Sequence, residues 1–183
     1  KNQGFEIYTN FSQNFRSVTF ADISIINPSY AINPSIDDEK GFTFDLGLRG
    51  NYKKIVSFDS SIFALIYRDR IGFIQKAFRD GNVKSERGNV GNAQITGIES
   101  LFDFDVNEIL FKNANLDFNI FFNYSYIESK YLKSNEVGIT GKEVEFVPKN
   151  NFKSGLKFGY KDFAINFQYS YLSSQFTDSS NAI

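Results

Sequence analysis

The sequence predicts an all-β chain, namely about seven long antiparallel strands that form one segment of a membrane-spanning β-barrel. Apolar and polar residues alternate along most of the chain, whereas helical periodicity is weak. Several alternating runs exceed the roughly 5–6 residues of a soluble strand and reach the roughly 9–11 that cross a bilayer with tilt. Short and long connections also alternate, which places the long ones at one end of an antiparallel sheet, as in membrane barrels.

The seven alternating runs are rich in Phe and Tyr, which favour strands. By position they are 5–12, 42–49, 55–75, 93–105, 116–131, 144–160 and 163–176. The short connections are predicted at 50–54, 107–115 and 161–162, and the long polar loops at 16–40, 76–92 and 130–142. A soluble β-sandwich would also alternate and would bury its apolar face against a second sheet, but long strands and one-sided loops fit it poorly.

Charge and composition exclude several kinds of site. The chain has 20 basic and 21 acidic residues, so it has no electrostatic footprint for nucleic acid and no nucleic-acid partner is expected. Because Cys and His are absent, disulfides, thiolate or imidazole metal sites and Ser–His or Cys–His catalysis are excluded within these 183 residues. We expect no enzyme activity, no cofactor and no metal site. No apolar run is long enough for a transmembrane helix.

Tyrosine replaces phenylalanine and aliphatic residues near one end of the fifth and seventh runs. The apolar positions of the fifth run end in Tyr124 and Tyr126, and those of the seventh end in Tyr169 and Tyr171. A tyrosine ring is apolar while its hydroxyl needs a polar partner, which suits the membrane–water boundary. We therefore expect these four tyrosines at the outer boundary of the membrane and the alternate polar residues in the lumen.

Seven strands are too few for a closed bacterial barrel, which uses an even number of about eight or more. An open edge would present unpaired backbone groups to lipid, which is unfavourable. The chain also lacks an initial Met. We expect residues 1–183 to be part of one larger barrel domain whose early and closing strands lie outside the chain.

Six segments, in their order and spacing, resemble barrel segments of TonB-dependent outer-membrane receptors and are most similar to the ferric dicitrate receptor branch. They are YTNFSQNFR (8–16), DDEKGFTFDLGLRG (37–50), YRDRIG (67–72), GNAQITGIE (91–99), VPKNNFKSGL (147–156) and YLSSQFTD (171–178). The resemblance covers nearly the whole chain and corresponds to the late-middle part of the barrel.

This resemblance implies a barrel of about 22 strands with an N-terminal plug, in the outer membrane of a Gram-negative bacterium. The substrate would be a ferric chelate, either ferric-citrate-like or another siderophore. Import would be energised by TonB through an N-terminal part that is absent from this chain, and the wall would meet outer-membrane lipid and lipopolysaccharide. A passive porin or a barrel adhesin is the first alternative, and a soluble β-sandwich binding module is the second.

Four cations of the predicted outer loops are candidate contacts for an anionic ligand: Arg16, Arg79, Lys84 and Arg87. A guanidinium group donates a forked pair of hydrogen bonds to a carboxylate, which suits a citrate-like chelate. The alternative interpretation is a solvated loop, in contact with lipopolysaccharide at most.

Several lumen-facing carboxylates come from neighbouring predicted strands: Asp45, Asp59, Glu99 and Asp103. We expect them to pair with Arg49 or Lys157 of the same wall, or to bind the plug.

Overall fold

The computed structural model describes residues 4–24, 27–112 and 115–182, and one antiparallel sheet dominates it. The prediction of an all-β chain with seven long antiparallel strands is confirmed. An eighth strand of three residues joins the same sheet through a parallel pairing.

The long strands follow one another in chain order across the sheet. In sequence the strands are β1 (Gly4–Arg16), β2 (Tyr30–Ile32), β3 (Glu39–Tyr52), β4 (Val56–Ala77), β5 (Val83–Asp105), β6 (Leu116–Lys133), β7 (Asn150–Tyr160) and β8 (Phe163–Leu172). The helical elements are α1 (Phe20–Ile23) and a π-helical turn (Asn107–Phe111) between β5 and β6. Within the described ranges, no helix is long and apolar enough to span a bilayer.

Two of the three connections at one end of the sheet are long, as predicted, whereas the third is a short hairpin turn. Residues 53–55, 106–115 and 161–162 connect strands at one end, which we name the turn end. The connections at the opposite end, which we name the loop end, comprise 17–38, 78–82 and 134–149, and segment 173–182 follows β8 there.

Each long strand has one apolar and one polar face, because successive side chains of a strand point to opposite sides of the sheet. Cross-strand pairing keeps the two faces in register: Phe44 lies opposite Ala64, and Ile62 lies opposite both Leu46 and Ile98. Among the described residues, no second layer covers this apolar face, and Ile62 is 49% exposed. The sheet therefore differs from a β-sandwich, in which the apolar face would be buried.

On the polar face, three aromatic rings each lie over a glycine that is directly opposite on the neighbouring strand. The pairs are Tyr8 with Gly47, Phe63 with Gly97, and Phe121 with Gly155. A Cβ atom at Gly97 would lie 2.7 Å from Cζ of Phe63, so the ring occupies the space that another side chain would need. Each pair packs an aromatic ring on bare backbone, which favours the observed strand register.

The predicted long loop at 76–92 is wrong, because β4 and β5 continue as a hairpin almost to its tip. Ala77 pairs with Val83, which leaves residues 78–82 as the turn. Asp69 has a φ of 55° at an irregularity in the β4–β5 pairing. β4 thus ends close to the predicted residue 75, whereas β5 begins ten residues before the predicted residue 93. The irregular pairing shifts the alternation of β5 in this part, so the period-2 pattern did not indicate its first residues.

The predicted strand at 144–160 begins six residues late, at Asn150. Val144 and Glu145 are buried in the loop that precedes it, and Phe146 has a φ of 60°, which is incompatible with a regular strand. Apolar residues at 144–147 thus belong to a packed loop rather than to the wall.

The buried apolar cluster lies at the loop end. Its members come from the β4–β5 hairpin, β6 and the loop between β6 and β7: Ile74, Val90, Ala93, Tyr131, Ile139 and Val144. Segment 173–182 also packs there, since Phe146 N donates to Phe176 O and Ser179 N donates to Phe73 O. The loop end is therefore the part of the chain that forms a core of its own.

Candidate functional site

The β4–β5 hairpin is the centre of the loop end, and three other segments contact it. Segment 17–38 reaches it through β2, which pairs in parallel with residues 85–87 of β5. Ser134 Oγ donates to Val90 O, and Ser179 Oγ donates to Phe73 O at 2.7 Å. These bonds gather the predicted ligand-binding region into one ordered structure.

Arg16 and Arg87, two of the predicted ligand contacts, both bind the carboxylate of Asp22, which is only 2% exposed. Arg16 Nη2 lies 2.7 Å and Arg87 Nη2 lies 2.6 Å from the same oxygen, Oδ1. The backbone NH and the hydroxyl of Thr19 donate to Oδ2. Burial alone would raise the pKa of Asp22, but the hydrogen bonds from Thr19, Arg87 and Arg16 hold it well below its ordinary value. The carboxylate of Asp22 thus already forms an ion pair with each of the two arginines.

Arg79 and Lys84, the other two predicted contacts, lie at the hairpin tip and do not join that cluster. Arg79 is exposed in the turn, while Lys84 Nζ lies 5.7 Å from the centre of the Phe78 ring. The carboxylate of Asp80 accepts hydrogen bonds from the backbone NH and side-chain amide of Asn82, at 3.1 and 3.0 Å. Asp80 therefore stabilises the turn that presents Arg79.

A second buried ionic group links β4, β6 and the loop before β7. Arg70 Nη1 lies 2.5 Å from Glu145 Oε1 and 2.9 Å from the hydroxyl of Tyr131, which in turn donates to Glu145 Oε2 at 2.6 Å. Glu145 is 2% exposed and Tyr131 is fully buried. The guanidinium group of Arg70 and the hydroxyl of Tyr131 thus compensate the buried carboxylate of Glu145.

The carboxylates that were predicted to face the lumen lie on the polar face of the sheet and have different partners from those predicted. Asp59 accepts a hydrogen bond from the Tyr8 hydroxyl at 2.7 Å, and Asp45 accepts one from Asn10 Nδ2 at 3.2 Å. Instead of pairing with these groups, Arg49 binds Glu6 at 3.0 Å and Lys157 binds Asp117. Within the part of the chain that the structure describes, Glu99 and Asp103 form no ion pair.

The four predicted boundary tyrosines all lie on the apolar face and are exposed. Tyr124 is directly opposite Phe152, which is directly opposite Tyr171, so the two tyrosines occupy the same row of the sheet. Tyr169 lies one row nearer the turn end, and Tyr126 one row nearer the loop end. The Tyr124 and Tyr126 hydroxyls donate to Asn150 and Glu128, at 2.8 and 2.7 Å.

Charge and spacing in the sequence did not indicate Asp22 or the group formed by Arg70, Tyr131 and Glu145. One signal was available for the first: Thr19 and Asp22 have the spacing of a helix capping box, here at the start of α1. The second group brings together residues up to 75 positions apart, and no local pattern marks it.

A protein-family model described as "TonB dependent receptor-like, beta-barrel" matches residues 2–183 of the chain. No curated protein matches the sequence.

Solved structures share the fold at low sequence identity. The copper transporter OprC superposes with a TM-score of 0.71 at 16% identity, over 98% of this chain and 26% of that protein. The ferric citrate transporter FecA gives 0.68 at 22% identity, over 98% and 25%. The ferric yersiniabactin uptake receptor FyuA from Yersinia pestis gives 0.66 at 18% identity, over 97% and 25%. The chain thus spans about a quarter of the length of these proteins.

Proposed function

The chain belongs to the TonB-dependent receptor-like β-barrel family, and we propose that it forms part of the wall of an outer-membrane receptor that imports a ferric chelate with energy supplied through TonB. Contact with TonB would be made by a part of the receptor outside these 183 residues. The bacterial outer membrane is the corresponding location.

The observation that carries the proposal is a one-layer sheet whose apolar face is exposed and whose two longest connections lie at the same end. Phe11 and Phe167, on strands at opposite sides of the sheet, are each 69% exposed. Removing apolar surface from water is favourable by about 25 cal/mol per Å², so a face of this extent requires an apolar neighbour. Lipid acyl chains meet that requirement, and the rows of tyrosine on the same face suit the outer lipid–water boundary.

The two edge strands support a wall larger than the chain. Among the described residues, β1 and β8 each pair with a strand on one side only, and every residue of β8 is exposed. Unpaired backbone groups are costly in lipid, so we propose that further strands of one barrel domain, about 22 in all, pair with both edges. The unpaired Glu99 and Asp103 would then face a plug in the lumen.

For the ligand, we propose Arg79 and Lys84 as the first contacts, because both cations lie at the hairpin tip and neither forms an ion pair with a described carboxylate. Arg16 and Arg87 stay in the proposal as a second pair, although a ligand carboxylate there has to compete with Asp22. A ferric chelate is the substrate favoured by the segments that resemble the ferric dicitrate branch. A copper-loaded substrate is the second candidate, since one of the similar structures is a copper transporter.

Membrane insertion is tested first. The full-length protein that carries this chain should require detergent for solubility and should migrate differently on a gel before and after heating, because a folded barrel resists unfolding by detergent. A monodisperse protein in plain buffer, with no heat-dependent migration, contradicts the membrane wall.

Ligand uptake is tested with charge reversal. Arg79→Glu together with Lys84→Glu should reduce binding and uptake of ferric citrate, whereas Lys53→Glu with Lys54→Glu, at the turn end, should leave both unchanged. Equal activity of the two double variants contradicts the assignment of the hairpin tip. Uptake that persists without TonB indicates a passive porin. Binding of host surfaces without uptake indicates an adhesin. Uptake of copper in place of iron favours the copper-loaded substrate.

A further inference from the structure

Two cations face each other directly across β3 and β4. Lys40 and Arg68 form the last pair of the regular ladder before the β4 irregularity, and both side chains are exposed. Directly opposite side chains in an antiparallel pair have Cβ atoms about 4.5–5.5 Å apart, and like charges in that position are destabilising. The strand pairing thus places two positive charges in an unfavourable position.

The pair lies at the loop-end margin of the apolar face. Pairing is continuous from Leu46 opposite Ile62 up to Phe42 opposite Ile66, and the next same-face pair is Lys40 with Arg68. A residue of β1 extends this row, since the exposed Phe15 lies opposite Lys40. Both cations are therefore on the outward side of the wall, directly above its apolar surface.

No carboxylate in the described ranges lies within ion-pair distance of either Lys40 or Arg68. Two acidic residues of this face bind other groups: Asp38 accepts a hydrogen bond from Val18 N at 2.9 Å, and Glu128 accepts one from the Tyr126 hydroxyl. Arg16, Arg70 and Arg87 of the same loop end all bind carboxylates. Lys40 and Arg68 differ from them in having positive charge that the described protein does not neutralise.

A third outward cation lies nearby on the same face. Lys130 of β6 is opposite Gln94, which is opposite Ile66 in the row just below Arg68. Strands are spaced by about 4.8 Å, so two strand spacings separate β4 from β6, a distance that long Lys and Arg side chains can shorten. Lys130 is exposed and also forms no ion pair within the described residues.

We propose that Lys40 and Arg68, with Lys130 as an accessory cation, bind the phosphate groups of an outer-leaflet lipid whose acyl chains lie on the apolar face below. This inference rests on the proposed membrane wall. The guanidinium group of Arg68 suits bidentate contact with a phosphate, and the ammonium group of Lys40 adds a point charge on the other side. One bound phosphate would offset the repulsion between the two cations, and the apolar rows below would select an anion that carries a lipid tail.

The test uses the full-length protein in micelles of a neutral detergent and measures the dissociation constant for lipid A that carries two phosphates. Lys40→Gln with Arg68→Gln removes the pair, and Lys53→Gln with Lys54→Gln removes the same charge at the turn end. Dephosphorylated lipid A and inorganic phosphate are the two ligand controls. Heat-dependent gel migration is recorded for every sample.

The Lys40/Arg68 variant should bind lipid A about 30-fold more weakly, corresponding to about 2 kcal/mol for two cations at a membrane surface. The Lys53/Lys54 variant should bind within about two-fold of the original protein, and removal of the lipid phosphates should weaken binding as strongly as loss of the cations. In the absence of phosphorylated lipid, the Lys40/Arg68 variant should unfold no more easily than the original protein, because it loses a repulsive pair.

Equal affinities of the two variants for lipid A would overturn the site. Binding of inorganic phosphate as tight as that of lipid A would overturn the lipid as its source and indicate a soluble anion. If all samples show heat-dependent migration but loss of Lys40 and Arg68 does not change the affinity for lipid A, the lipid site is contradicted and the membrane wall is not. Absence of such migration would contradict the wall itself.

Discussion

The sheet between the turn end and the boundary tyrosines differs sharply from the loop end in how it is stabilised. The first region is a single layer: Ile62 on one face and Glu99 on the other are both exposed, and its backbone ladder is regular. The loop end holds the buried apolar cluster and the buried carboxylates Asp22 and Glu145. One part of the continuous sheet thus leaves its apolar residues exposed, whereas the other part buries them.

The difference shows what each region needs from its surroundings. A single layer cannot bury its apolar face within the chain, so in the proposed barrel its stability would depend on lipid outside and on the contents of the lumen. The loop end covers its own apolar residues with loops, and nearby arginines compensate the buried carboxylates of Asp22 and Glu145. Mutations in the single-layer region should therefore change stability by altering its contact with the surroundings of the sheet. Mutations at the loop end should change stability by altering contacts within the chain.

The largest effect is expected at the buried ionic group. Arg70→Met leaves Glu145 buried without its cation, which should lower the local free energy of unfolding of loop 134–149 by about 3–5 kcal/mol. Hydrogen exchange of the backbone amides in that loop measures the change. Arg79→Met removes an exposed arginine from the same hairpin and should have no effect there. A change below about 1 kcal/mol in Arg70→Met would mean that the carboxylate is solvated.

A charge on the apolar face should have the next largest effect. Ile62→Arg places a cation in the middle of the outward face and should destabilise the barrel by about 2–4 kcal/mol in lipid vesicles. The matched change Ser61→Arg, one residue away on the lumen face and opposite Glu99, should have little effect. Denaturant titration of both variants measures the difference, and equal destabilisation would show that the apolar face does not meet lipid.

A smaller effect is expected where rings cover glycines. Gly155→Ala places a methyl group against Cε1 of Phe121 and should cost about 1–3 kcal/mol through overpacking. Gly159→Ala, on the same strand and face, meets its nearest neighbour at 3.4 Å and should be nearly neutral. Unfolding of both variants in the same vesicles provides the comparison. Equal stability of the two would mean that the Phe121 ring moves aside without cost.

The smallest effect is the pH dependence of the Asp22 group. Its folded pKa is lowered, so its contribution to stability is complete above the unfolded value of about 3.9 and is lost only as pH falls through the lower folded pKa. Protease cleavage of segment 17–38 should therefore stay constant between about pH 7 and pH 5. Asp22→Asn should increase cleavage in that range, and its difference from the original protein should shrink in stronger acid. A change in the original protein between pH 7 and pH 5 would contradict the lowered pKa.

Local pattern predicted the regular wall well and the loop end poorly. The alternation that marks β3 and β8 arises from neighbours two residues apart, so it is visible in the sequence. Residues 76–92, at the tip of the β4–β5 hairpin, were assigned as a loop because the irregular pairing breaks that period and the charged residues resemble a solvated segment. Four cations were selected for ligand binding from charge alone, whereas Asp22, which binds two of them, lies six positions from Arg16 and 65 positions from Arg87.

The sequence by itself determined the strand class, the two faces and the change from phenylalanine to tyrosine on the apolar face, because each depends on the identity and spacing of residues within one strand. Only the tertiary structure decided which cations are neutralised. Arg16, Arg70 and Arg87 bind buried carboxylates, while Lys40 and Arg68 face each other on the outside of the wall. Charges interact through distance in space, and strand pairing and loop packing set that distance between residues far apart in the chain.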